Sequence, residues 1–137
     1  MIVAIAGGLA APGIMSGWRS REVRSGTRNL AGVMRGLRER AVRRGVEQEL
    51  VFQTDGQTYN WSDGDNEQEA TLPGGAAVTA IRGGWRDQDG RVRVVFYPNG
   101  GSSGIALIIA QQEGNSLSFS VRVDPMLGTV VIQDAAT

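Results

Sequence analysis

The chain has 137 residues, 41% of them apolar and 20% charged, enough for one domain with a real core. All fourteen basic residues are arginine, and they balance fourteen acids. With no Cys and no His, disulfides, thiolate or imidazole nucleophiles and the usual zinc ligands are excluded, as is any chemistry that needs a lysine. The zero net charge hides a dipole. Residues 1–44 hold nine Arg against two Glu, whereas residues 45–137 hold five Arg against twelve acids. Only the first third can attract phosphate or acidic surfaces.

Met1 to Trp18 contain no charged residue. As a helix, this run spans about 27 Å, close to the roughly 30 Å hydrocarbon core of a bilayer. Ile2, Val3, Ile5, Leu9, Ile14 and Trp18 form its membrane or filament face, and Pro12 kinks it. Trp18 followed by Arg19 suits a membrane–water boundary. The positive n-region and small-residue cleavage site of a secretory signal peptide are missing. The competing reading is a buried N-terminal helix packed on the domain.

From Arg19 to Gly45 the helix continues in amphipathic form. Leu30, Val33, Met34, Leu37, Ala41 and Val42 recur at the spacing of one helical face, the expected surface for packing on a following domain. Gly45 is a natural stop. Support is poor from Val23 to Thr27, and Gly26, Gly32 and Gly36 each cost about 1 kcal/mol against Ala, so packing must compensate.

After Gly45 the apolar period changes to two. Strands are expected at 46–53, 57–61, 76–81, 91–97, 105–112, 116–123 and 129–133, with a tight turn at Asp55-Gly56. Ser62 to Glu69 reads as an acidic loop, Leu72 to Gly75 and Arg86 to Gly90 as turns, and Pro98 to Gly104 as irregular. The fold class is α+β: a long N-terminal helix over 1–45, apolar over 1–18 and amphipathic over 19–45, then an antiparallel sheet or sandwich domain over 46–137.

Three constellations suggest chemistry. Gly100 to Gly104 (GGSSG) matches G-x-S-x-G, but the hydrolase elbow needs a following helix and a His base, and here a β-like run follows with no His. A glycine-rich turn is the better account. Asp63, Asp65, Glu67 and Glu69 offer oxygens to Ca²⁺, yet Gln68 stands where the calcium loop requires Gly, so a solvated acidic loop is preferred. Asp87 and Asp89 are turn residues. No phosphate-binding glycine loop is present. No metal, cofactor or catalytic residue is assigned.

Two regions carry a family resemblance. One is IVAIAGGLAAPGIMSGW with RNLAGVMRGLRERAVRRGVEQELVF; the other is VVFYPNGGSSGIALIIAQQEGNSLSFSVRVDPMLGTVVI. Together they resemble the H-type minor pseudopilins of type II secretion, whose domain also occurs in minor pilins of type IV pili. The late motif F-x-P-[DN]-G-x-S-[ST]-G corresponds to Phe96, Pro98, Asn99, Gly100, Ser102, Ser103 and Gly104. V-D-P-x-x-G supplies Asp124, Pro125 and Gly128, and Leu72-Pro73 matches a further Leu-Pro.

The resemblance implies a pilin-like fold and a non-enzymatic subunit at the tip of the secretion pseudopilus. That subunit would be single-pass in the inner membrane, with its globular domain in the periplasm. Implied partners are other minor and major pseudopilins, the inner-membrane platform, the secretin and exoprotein cargo. The alternative is a type IV pilus minor pilin in DNA uptake. Its relatives capture DNA with basic residues near the C-terminus, and no Arg follows Arg122 here, so nucleic acid is not an expected partner. Family members carry a prepilin peptidase site, then Phe and a Glu within the apolar run. Neither is present, so processing, methylation and the Glu contact are not placed on this chain. Aligned on Pro12, it starts about ten residues late, which leaves the spanning helix short. The positive-inside rule puts the arginines in the cytoplasm, whereas the resemblance puts them in the periplasm. The resemblance is preferred, because the basic leader that sets orientation is missing. A last expectation concerns charge: the β domain docks on its own or a neighbour's helix, with Arg38, Arg40, Arg43 and Arg44 the nearest arginines and Glu47, Glu49 and the 63–69 loop the available acids.

Overall fold

Helix α1 runs unbroken over Ala11–Arg44 in a computed structural model that describes residues 11–63, 66–73, 75–111 and 118–134. Ile2, Val3, Ile5 and Leu9 lie outside the described residues. Pro12, Ile14 and Trp18 lie within the helical backbone. Among the described residues, no helix is long and apolar enough to cross a membrane. The helix ends as Gly45 turns left-handed at φ 68° and its N–H donates to Ala41 O at 2.9 Å. Arg43 and Arg44 occupy the last turn, where the helix dipole favours cations.

The segment from Val23 to Thr27, expected to be weak, is helical because it is packed. Val23 and Thr27 are buried, and Thr27 Oγ1 donates back to Val23 O at 2.8 Å. At Gly26 the missing side chain has a use: a Cβ there would collide with the Pro73 ring. Gly32 and Gly36 have no neighbouring atom within 4 Å of such a Cβ. Gly26→Ala is therefore expected to destabilise the protein although helix propensity favours Ala by about 1 kcal/mol, while Gly32→Ala should stabilise it by about that amount. Urea midpoints of the two variants should move in opposite directions.

Among the described residues, nine strands follow in two sheets. The first holds β1 (Gln48–Phe52), β2 (Thr58–Asp63), β3 (Asn66–Thr71), β5 (Trp85–Arg86) and β6 (Val92–Phe96), in the order β3-β2-β1-β6-β5. The second holds β4 (Ala76–Gly83), β7 (Ile105–Gln111), β8 (Ser118–Val123) and β9 (Val130–Asp134), in the order β4-β7-β8-β9. All pairings are antiparallel. Alternation decides which faces turn inward. Leu50 and Phe52 of β1 pair with Val94 and Val92 of β6, and Leu107 and Ile109 of β7 pair with Val121 and Phe119 of β8. Helix α1 lies against β1 and β6 of one sheet and β7, β8 and β9 of the other. One hydrophobic cluster thus joins Val23, Leu30, Met34 and Leu37 to both sheets.

The 62–69 region corrects the sequence reading. It is not a loop but a hairpin in which Asn66–Thr71 pairs with Thr58–Asp63. Its residues have no apolar alternation to reveal a strand, because β3 is an edge strand and Glu67, Gln68 and Glu69 are exposed. Charge on an edge opposes pairing with other chains. The partner strand supplies the order: Tyr59 stacks on Trp61, with ring centroids 5.6 Å apart. Carboxylates hold the turns at Asp55 and Asp87. Asp55 accepts from the N–H groups of Gln57 and Thr58 and from Thr58 Oγ1, which keeps its carboxyl below the usual range. At Asp87 desolvation opposes ionisation, but hydrogen bonds from Arg91 and Asp89 and the Arg91 charge outweigh it, so its carboxyl is also lowered.

Candidate functional site

The two glycine-bearing loops of the late motif, 97–104 and 124–129, meet each other and the C-terminal half of α1. Phe96 leaves β6 fully buried and forms a bridge with Ser102. Between them the chain makes a tight excursion. Gly100 N–H donates to Tyr97 O at 2.9 Å, Tyr97 N–H donates to Gly101 O at 2.9 Å, and the Asn99 side chain accepts from Gly101 N–H at 2.9 Å. Pro98 and Asn99 are exposed at its tip. Gly100 adopts φ 94°, which favours glycine.

Ser102 and Ser103 then lock this loop in place. Ser102 Oγ donates to Asp124 O at 2.9 Å and accepts from Gly104 N–H at 3.0 Å, while Ser102 N–H donates to Pro125 O at 2.8 Å. Ser103 Oγ accepts from Val95 N–H at 3.0 Å, and Ser103 N–H donates to Val95 O at 2.9 Å. The second loop is organised by Asp124, whose carboxylate accepts from the N–H groups of Met126 and Leu127 at 2.8 and 2.9 Å. Pro125 packs where a Cβ at Gly104 would stand. Ser102 is only 6% exposed, its hydroxyl is fully used, and a strand follows it. These are the contacts of a structural turn, not of a nucleophile elbow.

Arg38 ties both loops to the helix. Its Nε–H is shared between Gly100 O at 3.1 Å and Leu127 O at 2.9 Å, one carbonyl from each loop. One turn earlier Arg35 Nη2 donates to Val130 O at 2.8 Å, and Arg40 Nη1 reaches Ser62 O at 3.1 Å on the β2–β3 hairpin. Charge-assisted bonds of this kind occupy main-chain carbonyls at turns, as at Gly100 and Leu127, and at strand ends, as at Val130 and Ser62. Gly128 completes the fit. It adopts φ 67°, and a Cβ there would collide with Gly100 O and stand 2.8 Å from Arg38 Nε.

The predicted packing residues lie on this same helix. Leu30, Met34, Leu37 and Ala41 are buried in the common core, and Val33 is half-buried against it. Val42, also on the predicted stripe, is 49% exposed and approaches Gly100. Of the candidate docking residues, Arg38 is directed to main-chain oxygens, Arg43 pairs with Glu39 of its own helix at 3.5 Å, and Glu49 pairs with Arg93 at 3.6 Å. Sequence reasoning weighed net charge and missed unsatisfied carbonyls, which turn-rich glycine motifs create wherever a strand ladder stops. It also missed the role of Gly26 against Pro73, for which the only signal was a glycine inside a helical pattern together with Leu72-Pro73.

A family model described as type II transport protein GspH matches residues 26–127. The minor pseudopilin EpsH from the Type 2 Secretion System of Vibrio cholerae matches with a TM-score of 0.63 at 15% identity, over 85% of this chain and 99% of that one. The type IV minor pilin FimU of Pseudomonas aeruginosa PAO1 matches in one crystal form with a TM-score of 0.62 at 11% identity, over 82% of this chain and 89% of that one. In a second crystal form FimU gives 0.58 at 11% identity, over 80% and 91% of the two chains. A search of curated proteins returned no match. The two structural relatives establish a pilin-like fold, and the residues matched by the family model include the helix from Gly26 and both clamped loops up to Leu127. The chain belongs to the GspH family of type II transport proteins, pilin-like structural subunits rather than enzymes.

Proposed function

We propose that this chain is a minor pseudopilin near the tip of a type II secretion pseudopilus, where filament growth pushes folded exoproteins through the outer-membrane pore. The observation that supports this most is the match to the GspH model. Ile2, Val3, Ile5, Leu9, Pro12, Ile14 and Trp18 pack in the inner membrane and then along the filament axis. Residues 1–45 are the filament part and residues 46–137 the periplasmic part. Leu30, Val33, Met34, Leu37 and Ala41 seat one on the other. Other pseudopilins are the direct partners, and the secretin, platform and cargo are met through the filament. Exposed Val42, Met126 and Leu127, next to the Arg38 clamp, offer an apolar contact for a neighbouring subunit.

The likeness to FimU favours a second reading, a minor pilin of a type IV pilus. Deletion of the gene in its native host separates the two. Loss of secreted enzymes with surface pili intact supports secretion; loss of pili with normal secretion overturns it. Leu9→Arg should reproduce the deletion phenotype and move the full chain out of the membrane fraction, since a central Arg disfavours helix insertion by about 3 kcal/mol. Unchanged partitioning would count against an embedded helix.

A further inference from the structure

A cavity of about 410 Å³ on the outer face of the first sheet is lined in part by Glu49, Asp87 and Arg93, which already pair with one another. A second cavity, of about 400 Å³, differs in kind. It opens between the Arg24–Arg28 turn of α1 and the β8–β9 edge, lined by Arg24, Thr27, Arg28, Phe119, Ile132 and Gln133. No acid lines it. Arg24 and Arg28 stand one helical turn apart, on neighbouring positions of one face. The Arg24 guanidinium lies 5.8 Å from the Phe119 ring centroid, which holds it over the cavity by cation–π attraction. Both arginines are exposed, and neither has an ion-pair partner among the described residues. The Thr27 hydroxyl is already committed to Val23 O, leaving, among the described residues, the two guanidinium groups and the Gln133 amide as the donors that face the cavity. Two forked cations with an amide beside them suit a phosphate group.

The position of the cavity along the helix selects the source of that phosphate. Because α1 is continuous from Ala11 through Arg44, Arg24 lies about 9 Å and Arg28 about 15 Å beyond Trp18 along the axis, at 1.5 Å per residue. The headgroup layer extends roughly 5–8 Å past the hydrocarbon on each side of a bilayer, and arginine side chains reach back several ångströms toward it. We propose that the cavity formed by Arg24, Arg28, Phe119 and Gln133 binds the phosphate of an anionic phospholipid. This lipid site would seat the β domain on the membrane surface before the subunit enters the filament. The inference rests on the membrane-anchored reading given above.

The test uses the full chain in neutral detergent. Phosphatidylglycerol, diacylglycerol with the same tails, and inorganic phosphate are added separately. Lipid retention is read by native mass spectrometry and site occupancy by the amide shifts of Phe119 and Gln133. Phosphatidylglycerol should be retained and should move both shifts, whereas diacylglycerol should do neither. Arg24→Gln and Arg28→Gln should each reduce retention about fivefold, the loss expected for one membrane-facing arginine. Arg43→Gln, at the far end of the helix, should leave it unchanged. Equal retention of diacylglycerol, or full retention by the double variant, overturns the site. Saturation by inorganic phosphate at the same concentration as phosphatidylglycerol overturns the lipid as its source. Failure of the anchored reading would appear separately, as wild-type chain missing from the carbonate-washed membrane fraction, while the detergent measurement stays readable.

Discussion

Gly128→Val should be the most damaging single change in the β domain, lowering stability by about 3 kcal/mol or more. Two effects combine. The residue sits at φ 67°, where a β-branched side chain is strained, and its Cβ would overlap Gly100 O, a main-chain atom that cannot rotate away. Relieving the overlap moves one loop off the other and stretches the hydrogen bonds that Arg38 makes to both. The Gly128 N–H bond to Asp124 O, 2.8 Å, would be lost with it. Thermal melts of the full chain in neutral detergent should fall by about 10 °C. Met126→Ser, two residues away at a side chain 86% exposed, should change stability by no more than about 0.5 kcal/mol. If the two variants melted alike, the proposed tight fit of Gly128 against Arg38 would be wrong.

The clamp also bears on how such a subunit could work. A filament that pushes must transmit force from its axial helix to the domain at its surface. Here that coupling has two parts, a buried apolar face and a set of arginines reaching main-chain carbonyls of three separate segments: Gly100, then Leu127 with Val130, and Ser62. Carbonyl acceptors fix position more tightly than exposed carboxylates, because the backbone they belong to is itself locked by ladders and turns. At the loop tips, the exposed side chains of Pro98, Met126 and Leu127 take no part in that coupling and are available to a neighbour.

How much of this could be read from residues follows from what each signal encodes. The helix and the central strands were legible because burial on one face writes a period into the sequence: Leu30, Met34 and Leu37 at helical spacing, Val92, Val94 and Phe96 at every second position. Strand β3 was not, because an edge strand exposed on both faces has no apolar period to show. The two-residue β5 is too short to have one. The late motif pointed to a turn without revealing what the turn touches, since the acceptors for Arg38 are carbonyls and every residue type carries one. Helical continuity through Gly26 was hidden for a related reason. The compensation comes from Pro73, far away in sequence and close only in the fold.

Leu37→Ala should lower the melting temperature by about 10 °C, and should do so equally at low and high salt. Leu37 is 2% exposed at the junction of α1 with both sheets, so truncation removes buried methyl groups from a place where two sheets and a helix converge and no single element can close the gap. Such cavities cost about 2–5 kcal/mol, and none of that depends on ionic strength, because the lost terms are apolar burial and dispersion. Arg43→Glu provides the contrast. Its only described ion pair is to Glu39, with both side chains more than 60% exposed, a pair worth about 0–1 kcal/mol and screened by salt. That variant should melt within about 2 °C of the parent, with the difference vanishing at 1 M salt. Any larger effect of Arg43→Glu should appear in association with other pseudopilins, measured by pull-down across ionic strength, and not in the fold. A Leu37→Ala loss that faded with salt, or an Arg43→Glu loss that did not, would mean that charge and not burial holds the helix to the β domain.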